Sequence, residues 1–173
     1  FDSDIITQVL RSPENLKKHI EQIISVVINN GYDGIDLDYE SFYLADKKQF
    51  FQFLEELSTQ LKSNNKKLVF TAHPKWGDLI PYSTYVQTRG VQDYKKISDL
   101  SDELRIMAYN FFGRKTDMAG PNAPLNWIEQ IIKYSIYIGV PREKIVIGLG
   151  LYSYDWSDRP MSQSPSNIIN LEW

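Results

Sequence analysis

Residues 33–40 read DGIDLDYE, and this stretch decides how the fold and the chemistry of the chain are interpreted. Its carboxylates at positions 36, 38 and 40 alternate with apolar residues. Because side chains two positions apart in an extended strand point the same way, we expect Asp36, Asp38 and Glu40 to line one face. Like charges on one face repel, and burial disfavours an ionised carboxylate. We therefore expect these acids to share protons and one of them to have a pKa high enough to donate a proton.

A solvated acidic strand end and a calcium-binding loop are the structural alternatives for this stretch. An EF-hand loop needs a glycine after the third acidic ligand position and a glutamate much further along, so the calcium alternative fits poorly. The chain has two histidines and no cysteine, and His73 alone makes no metal site. We therefore predict no metal and no cofactor, and the lack of cysteine excludes disulfides within these residues.

The composition indicates a single folded domain covering residues 1–173. Hydrophobic residues make up 42% of the chain and aromatic residues 13%, which suffices for a core. The net charge of −3 gives no general attraction to nucleic acid or to an anionic membrane, and no apolar run is long enough to span a bilayer. These features exclude nucleic acid and membrane insertion from the expected partners.

Amphipathic helices alternate with short apolar strands. Ser12 and Pro13 are typical of a helix start, and Gly31 of a helix end. Asp46 with Gln49 predicts a capping box at the start of a second long helix. The predicted helices are 13–30, 46–63, 92–100 and 124–138; the predicted strands are 33–40, 68–72, 104–109 and 144–151, followed by a loop over 157–170. This order is typical of βα units on a parallel sheet.

The acidic stretch resembles the DxxDxDxE signature of the family 18 glycoside hydrolases, the chitinase-like enzymes. The resemblance implies an α/β fold, the (β/α)8 TIM barrel, of which this chain would cover strands four to seven as a partial catalytic domain. A complete barrel typically needs about 250 residues, so these 173 residues are too few to form one. Four strands would leave unpaired edges, which predicts that the remaining strands lie in a longer protein.

The resemblance also assigns roles to the acids. Glu40 would be the general acid on the glycosidic oxygen, at the carboxyl end of a strand. Asp38 would hold the N–H of the sugar's acetamido group, and Asp36 would share a proton with Asp38. The acetamido oxygen itself would attack the anomeric carbon, an exception to the two-carboxylate scheme. Asp33 is expected to fix the turn before the strand.

Two further segments resemble the same family. Residues 107–110 read MAYN, similar to Met-x-Tyr-Asp or Met-x-Tyr-Asn at the end of its sixth strand. Tyr109 would donate to the acetamido oxygen, with Met107 and Asn110 beside it as substrate-binding residues. Residues 148–156 read GLGLYSYDW and resemble the members that act on bacterial spore cortex and peptidoglycan. Aromatic faces stack on sugar rings, so the expected cleft-lining residues are Tyr152, Tyr154, Trp156 and Trp76, although ordinary loop packing explains each one equally well.

The expected function is therefore hydrolysis of β-1,4-linked N-acetylglucosamine polysaccharide, chitin or peptidoglycan, with retention of configuration. The alternative is a non-catalytic sugar-binding protein of the same fold. Such lectins commonly lose the terminal glutamate, which this chain keeps as Glu40. The substrate in turn suggests a secreted or cell-envelope location.

Overall fold

Four parallel strands form the central sheet, in the order β1-β2-β3-β4. The computed structural model describes residues 3–77, 90–113, 116 and 118–156, together with the backbone of 167–170. The described helices are α1 (Ser3–Arg11), α2 (Pro13–Asn29), α3 (Lys47–Ser63), α4 (Tyr94–Leu100) and α5 (Leu125–Tyr137). The strands are β1 (Gly34–Leu37), β2 (Lys67–Ala72), β3 (Glu103–Met107), β4 (Ile145–Gly148), β5 (Tyr152–Asp155) and β6 (Asn167–Asn170).

The two faces of the central sheet differ in chemistry. Leu68, Phe70, Leu104 and Ile106 point to one face and are almost completely buried in the core that the helices cover. The register places positions 36, 71, 103 and 105 on the opposite face, where the side chains are polar or charged and are exposed or half-buried. One face therefore stabilises the fold, and the other is available for chemistry.

The helices bury the residues that their periodicity predicts. Ser12 caps α2 by accepting a hydrogen bond from the Asn15 backbone N–H, and Pro13 occupies its first turn. The buried side of α2 is Leu16, Ile20, Ile23 and Val27, and that of α3 includes Phe50, Leu54, Leu57 and Leu61. Fully burying such a side chain stabilises the fold by about 1.5–3 kcal/mol. The predicted helices and the parallel arrangement of the strands are confirmed.

The predicted capping box at Asp46 is wrong. The Asp46 carboxylate makes no capping bond to α3. It instead accepts hydrogen bonds from Thr7 Oγ1 at 2.5 Å and from Arg11 Nε at 2.6 Å, and it is only 1% exposed. Both Asp46 oxygens are thus engaged by side chains of α1, and the charge-assisted bond from Arg11 satisfies the buried carboxylate in place of a capping bond.

Several predicted strand boundaries are also wrong. The strand predicted at 104–109 is observed as Glu103–Met107, and the one at 144–151 as Ile145–Gly148, followed by the separate strand β5. Strand β1 ends at Leu37, so Asp38 and Glu40 lie beyond it. Residues 167–170, predicted as loop, form β6, which pairs antiparallel with β5. Residues 157–166 lie outside the described part of the chain. Four neighbouring parallel strands agree with part of a TIM barrel, and closure of an eight-stranded barrel stays a prediction.

In the part of the chain that the structure describes, we find no helix with both the length and the apolarity needed to cross a bilayer.

Candidate active site

Glu40 lies in the loop after β1, at the carboxyl end of the sheet. Its side chain is 28% exposed. His73, just after the neighbouring strand β2, approaches it closely: His73 Nε2 lies 3.0 Å from the Glu40 backbone oxygen and 3.9 Å from Glu40 Oε2. A carbonyl oxygen only accepts, so Nε2 must carry the proton in this contact. Residues following two adjacent strands thus meet at one edge of the sheet.

A pocket of about 380 Å³ opens beside Glu40. Five of the predicted site residues border it, namely Glu40, Trp76, Met107, Tyr109 and Asn110; the other residues around it are His73, Pro74, Phe111 and Trp127. The volume falls within the range of small-molecule sites, and the lining combines aromatic faces with the polar groups of Glu40, His73, Tyr109 and Asn110. An acid, a phenol and aromatic surfaces therefore share one concave site.

Tyr109 is held in its protonated form by its surroundings. Burial raises the pKa of the phenol, and the nearby carboxylates of Asp38 and Glu40 raise it further. A negative charge close to a phenolate repels it, so the neutral O–H is favoured. Tyr109 is therefore available as a hydrogen-bond donor beside two carboxyl groups.

Asp38 is shifted towards protonation, whereas Asp36 is held by other partners. Partial burial raises the pKa of Asp38, and the charge of Asp36 adds to the effect. Asp36 accepts a hydrogen bond from Thr71 Oγ1 at 2.8 Å and forms an ion pair with Arg105 Nη1 at 2.9 Å.

The expected burial of the acidic row is wrong for Asp36 and Asp38, which are exposed residues with only partly shielded side chains; that of Asp36 keeps 33% of its surface accessible. The reason is that β1 is the edge strand of the described sheet and the row faces away from the helices. Each Asp36 oxygen has a partner other than Asp38. A proton shared between Asp36 and Asp38 stays a prediction.

Tyr152 and Tyr154 converge on Asn110 rather than lining the pocket directly. Both hydroxyls donate to Asn110 Oδ1, each at 2.6 Å. Asn110 has a φ of 62°, a conformation that asparagine tolerates better than most residues, and its N–H bonds Asn122 Oδ1. The three predicted substrate-binding residues thus hold one another in place at the rim.

Aromatic rings form two groups around the site. Tyr109, Tyr152, Tyr154 and Trp156 follow one another with ring centroids 5.9–6.2 Å apart. Trp76 packs against Trp127 at 5.7 Å and Phe111 at 6.4 Å. Trp76 is 45% exposed, so part of its surface is accessible to solvent.

Four residues of the pocket were given no role in the site by the sequence, namely His73, Pro74, Phe111 and Trp127. His73 and Pro74 directly follow the predicted strand 68–72, and Trp127 lies within the predicted helix 124–138. Phe111 follows directly after the MAYN segment, and that adjacency was the available signal. We find no cluster of three or more potential metal ligands among the residues that the structure describes.

Comparison with known proteins gives a consistent result. A model of the glycosyl hydrolases family 18 matches residues 2–169. YdhD of Bacillus subtilis (strain 168), provisionally named a sporulation-specific glycosylase, is 33% identical over 156 residues, which are 90% of this chain and 35% of YdhD. The crystal structure of YdhD matches with a TM-score of 0.86 at 30% identity, covering 98% of this chain and 54% of the other.

Two further relatives extend the comparison. A cortical fragment-lytic enzyme of Bacillus anthracis is 26% identical over 90% of this chain and 35% of its own length. A class V chitinase from Pseudomonas fluorescens Pf-5 has a TM-score of 0.84 at 24% identity, covering 98% of this chain and 49% of the other, which shows a shared fold alone. The chain thus spans only about a third to a half of the length of these relatives.

Proposed function

We propose that this chain, which belongs to glycosyl hydrolase family 18, carries the acid and the positioning groups of an enzyme that hydrolyses N-acetylglucosamine-containing polysaccharide. The observation that carries the proposal is the pocket shared by Glu40, Tyr109 and the aromatic side chain of Trp76. The remaining strands of the barrel would come from other parts of the full-length protein.

In the proposed reaction, Glu40 donates its proton to the glycosidic oxygen as the bond from that oxygen to the anomeric carbon breaks. The acetamido carbonyl oxygen of the same sugar attacks the anomeric carbon and forms a cyclic oxazolinium ion. Water then adds to the anomeric carbon and gives a proton to the Glu40 carboxylate, and the ring opens. Two displacements at one carbon leave its configuration retained.

Tyr109 and Asp38 would bind and orient the acetamido group. The protonated phenol of Tyr109 would donate a hydrogen bond to the acetamido oxygen and orient it towards the anomeric carbon. Asp38 would accept from the acetamido N–H and stabilise the positive charge that develops on the oxazolinium ring. Its position beside both Tyr109 and Asp36 supports this division of roles.

Peptidoglycan is the first substrate to test, with chitin second. The name of the Bacillus anthracis relative refers to lysis of cortical fragments, and YdhD is named for sporulation. Sugar-stacking residues at the rim would be Trp76, Trp156, Tyr152 and Tyr154, with Asn110 and Met107 beside the bound sugar. A polysaccharide of this kind would place the protein at the cell envelope or outside the cell.

The proposal is tested by incubating the full-length protein with purified peptidoglycan and with chitin oligosaccharides. We expect new reducing ends from at least one of them, none from fully deacetylated chitosan, and none from the Glu40→Gln variant. The matched control is Glu56→Gln, an exposed glutamate of α3. Oligosaccharide binding without any cleavage would favour the lectin alternative, and efficient cleavage of chitosan would rule out the acetamido nucleophile.

A further inference from the structure

The loop that carries Glu40 is not held by the sheet. The pairing of β1 with β2 ends at Leu37 and Phe70, three residues before Glu40. General acids lose efficiency when displaced by as little as 1 Å, so the backbone here needs another support. The question is which side chains supply it.

Gln92 supplies two of the required hydrogen bonds. Its side chain is completely buried between the loops that follow β1 and β2. Gln92 Nε2 donates to the Tyr39 backbone oxygen at 3.2 Å, and Gln92 Oε1 accepts from the His73 backbone N–H at 2.9 Å. Tyr39 O only accepts and His73 N–H only donates, so the partners themselves fix the orientation of the amide.

The same amide acts on Glu40 from two sides. Through Tyr39 it fixes the peptide unit that links Tyr39 to Glu40. Through the His73 backbone it fixes the residue whose ring Nε2 bonds the Glu40 carbonyl oxygen at 3.0 Å. Both connections end at Glu40, and the side chain of Gln92 contributes a hydrogen bond to each of them.

Gln92 is itself firmly anchored. Lys75 Nζ donates to the Gln92 backbone oxygen, and the Tyr94 hydroxyl donates to the His73 backbone oxygen. Asp93 caps α4 by accepting from the Lys96 backbone N–H at 3.3 Å.

The Tyr39 ring is secured separately, because its hydroxyl contacts His19 Nε2 at 2.7 Å. A change at Gln92 therefore removes support from the loop backbone and leaves the surrounding anchors in place.

We propose that Gln92 is a positioning residue for Glu40. Its hydrogen bonds to the Tyr39 carbonyl and to the His73 backbone N–H keep the loop of the general acid in place. This inference rests on the proposed function of Glu40. Without Gln92 the Tyr39 carbonyl would lose its hydrogen bond, and a buried unpaired carbonyl costs free energy. Movement of the loop towards water would lower that cost.

Two variants of Gln92 in the full-length protein separate positioning from packing. Gln92→Met keeps the approximate volume and removes both hydrogen bonds, whereas Gln92→Glu keeps the shape and the acceptor for His73. The control is Ser58→Ala, which removes another buried hydrogen bond, to the Leu100 backbone oxygen. The two readouts are kcat and KM, and hydrogen–deuterium exchange of residues 38–43.

We expect Gln92→Met to lower kcat by roughly ten- to a hundredfold with KM changed less than about twofold. The kcat of Gln92→Glu should lie between that of Gln92→Met and that of the wild type. Exchange at 38–43 should rise in Gln92→Met and stay at the wild-type level in Ser58→Ala. If Gln92→Met does not fold, the same two readouts on Gln92→Glu decide the question.

Wild-type kcat in folded Gln92→Met, or unchanged exchange at 38–43, would overturn the inference while leaving the role of Glu40 intact. If the wild-type protein cleaves neither substrate, or if Glu40→Gln is fully active, the proposed function fails instead. In that case the exchange of residues 38–43 alone decides whether Gln92 holds the loop.

Discussion

Arg105 Nη1 lies 2.9 Å from Asp36 Oδ2, an ion pair that joins β3 to β1 across the intervening strand β2. Thr71 of β2 completes the contact by donating to the other Asp36 oxygen. Asp36 in turn raises the pKa of Asp38 through its charge. The guanidinium of Arg105, two strands away from β1, therefore contributes to the electrostatics of the acidic stretch.

Replacing Arg105 with leucine should change the pH dependence of the reaction. Without the guanidinium, protonation of the Asp36–Asp38 pair is no longer opposed by a neighbouring positive charge. We expect the acidic limb of the kcat/KM profile to move to higher pH. Arg142→Leu, at an exposed arginine outside the site, is the control and should leave the limb in place. If the acidic limb does not move in Arg105→Leu, the ion pair has no effect on the pH dependence of catalysis, which would contradict the account.

Gly34 allows β1 to approach β2 closely. A Cβ at this position would lie 2.2 Å from the Lys67 backbone oxygen, which cannot move without breaking the strand pairing. We expect Gly34→Ala to lower the free energy of unfolding by about 1–3 kcal/mol, and to lower activity because the strand carries the acidic stretch. Urea denaturation measures the change. Gly77→Ala is the matched control, since nothing lies within 4 Å of its added Cβ.

Arg11 neutralises the buried Asp46 and so ties α1 to the start of α3. Its Nη2 lies 2.6 Å from Asp46 Oδ1. Arg11→Met removes the charged partner and leaves that carboxylate the neutral hydroxyl of Thr7, so we expect a loss of about 2 kcal/mol in the free energy of unfolding. Lys17→Met breaks only an exposed pair with Glu21, so it should cost less than about 0.5 kcal/mol. Equal losses in the two variants would contradict the account.

Lys75 should make stability depend on pH in the alkaline range. Burial lowers its pKa from 10.5 to about 8, partly opposed by the charge of Asp93, while Lys47 adds to the lowering. Below about pH 8 Lys75 is protonated in both the folded and the unfolded state, so the cost of the buried charge is fully present. Above 10.5 it is neutral in both states and that cost is gone.

The stability of the wild type relative to Lys75→Met should therefore rise between about pH 8 and about pH 10. Urea denaturation of both proteins across this range measures the difference in their free energies of unfolding. The other lysines and tyrosines titrate in both proteins, so their contribution cancels in this difference. A difference that stays constant with pH would show that Lys75 has an ordinary pKa in the folded protein.

Local patterns predicted most of the fold, because helix periodicity and capping depend on neighbouring residues. The positions of α2 and of the four strands of the central sheet follow from such patterns, and so does the burial of Phe50 and Leu54, whereas β5 and β6 were not predicted. The length of β1 was not predictable, since Asp38 has no strand partner and pairing is decided by residues far along the chain. Asp46 shows the same limit: its Arg11 partner is 35 residues away.

The site was predictable only where a family pattern marks it. Glu40 and Tyr109 belong to such patterns, and the structure brings both to one pocket. The hydrogen bonds that connect Gln92 and His73 to the loop of Glu40 are visible only in the structure, since a sequence does not show which backbone groups a loop side chain contacts. Asn110 was expected to contact sugar, and its engagement with Tyr152 and Tyr154 depends on a packing that the sequence does not display.

The central claim is that Glu40 supplies the proton to the departing oxygen, and leaving-group chemistry tests it most directly. N-acetylglucosaminides with a 2,4-dinitrophenyl leaving group need no protonation, whereas oligosaccharides do. For Glu40→Gln we predict a loss of at least about a thousandfold in kcat/KM on the oligosaccharide and a loss below about tenfold on the dinitrophenyl substrate. Equal losses on both substrates would contradict the role of Glu40 as the general acid.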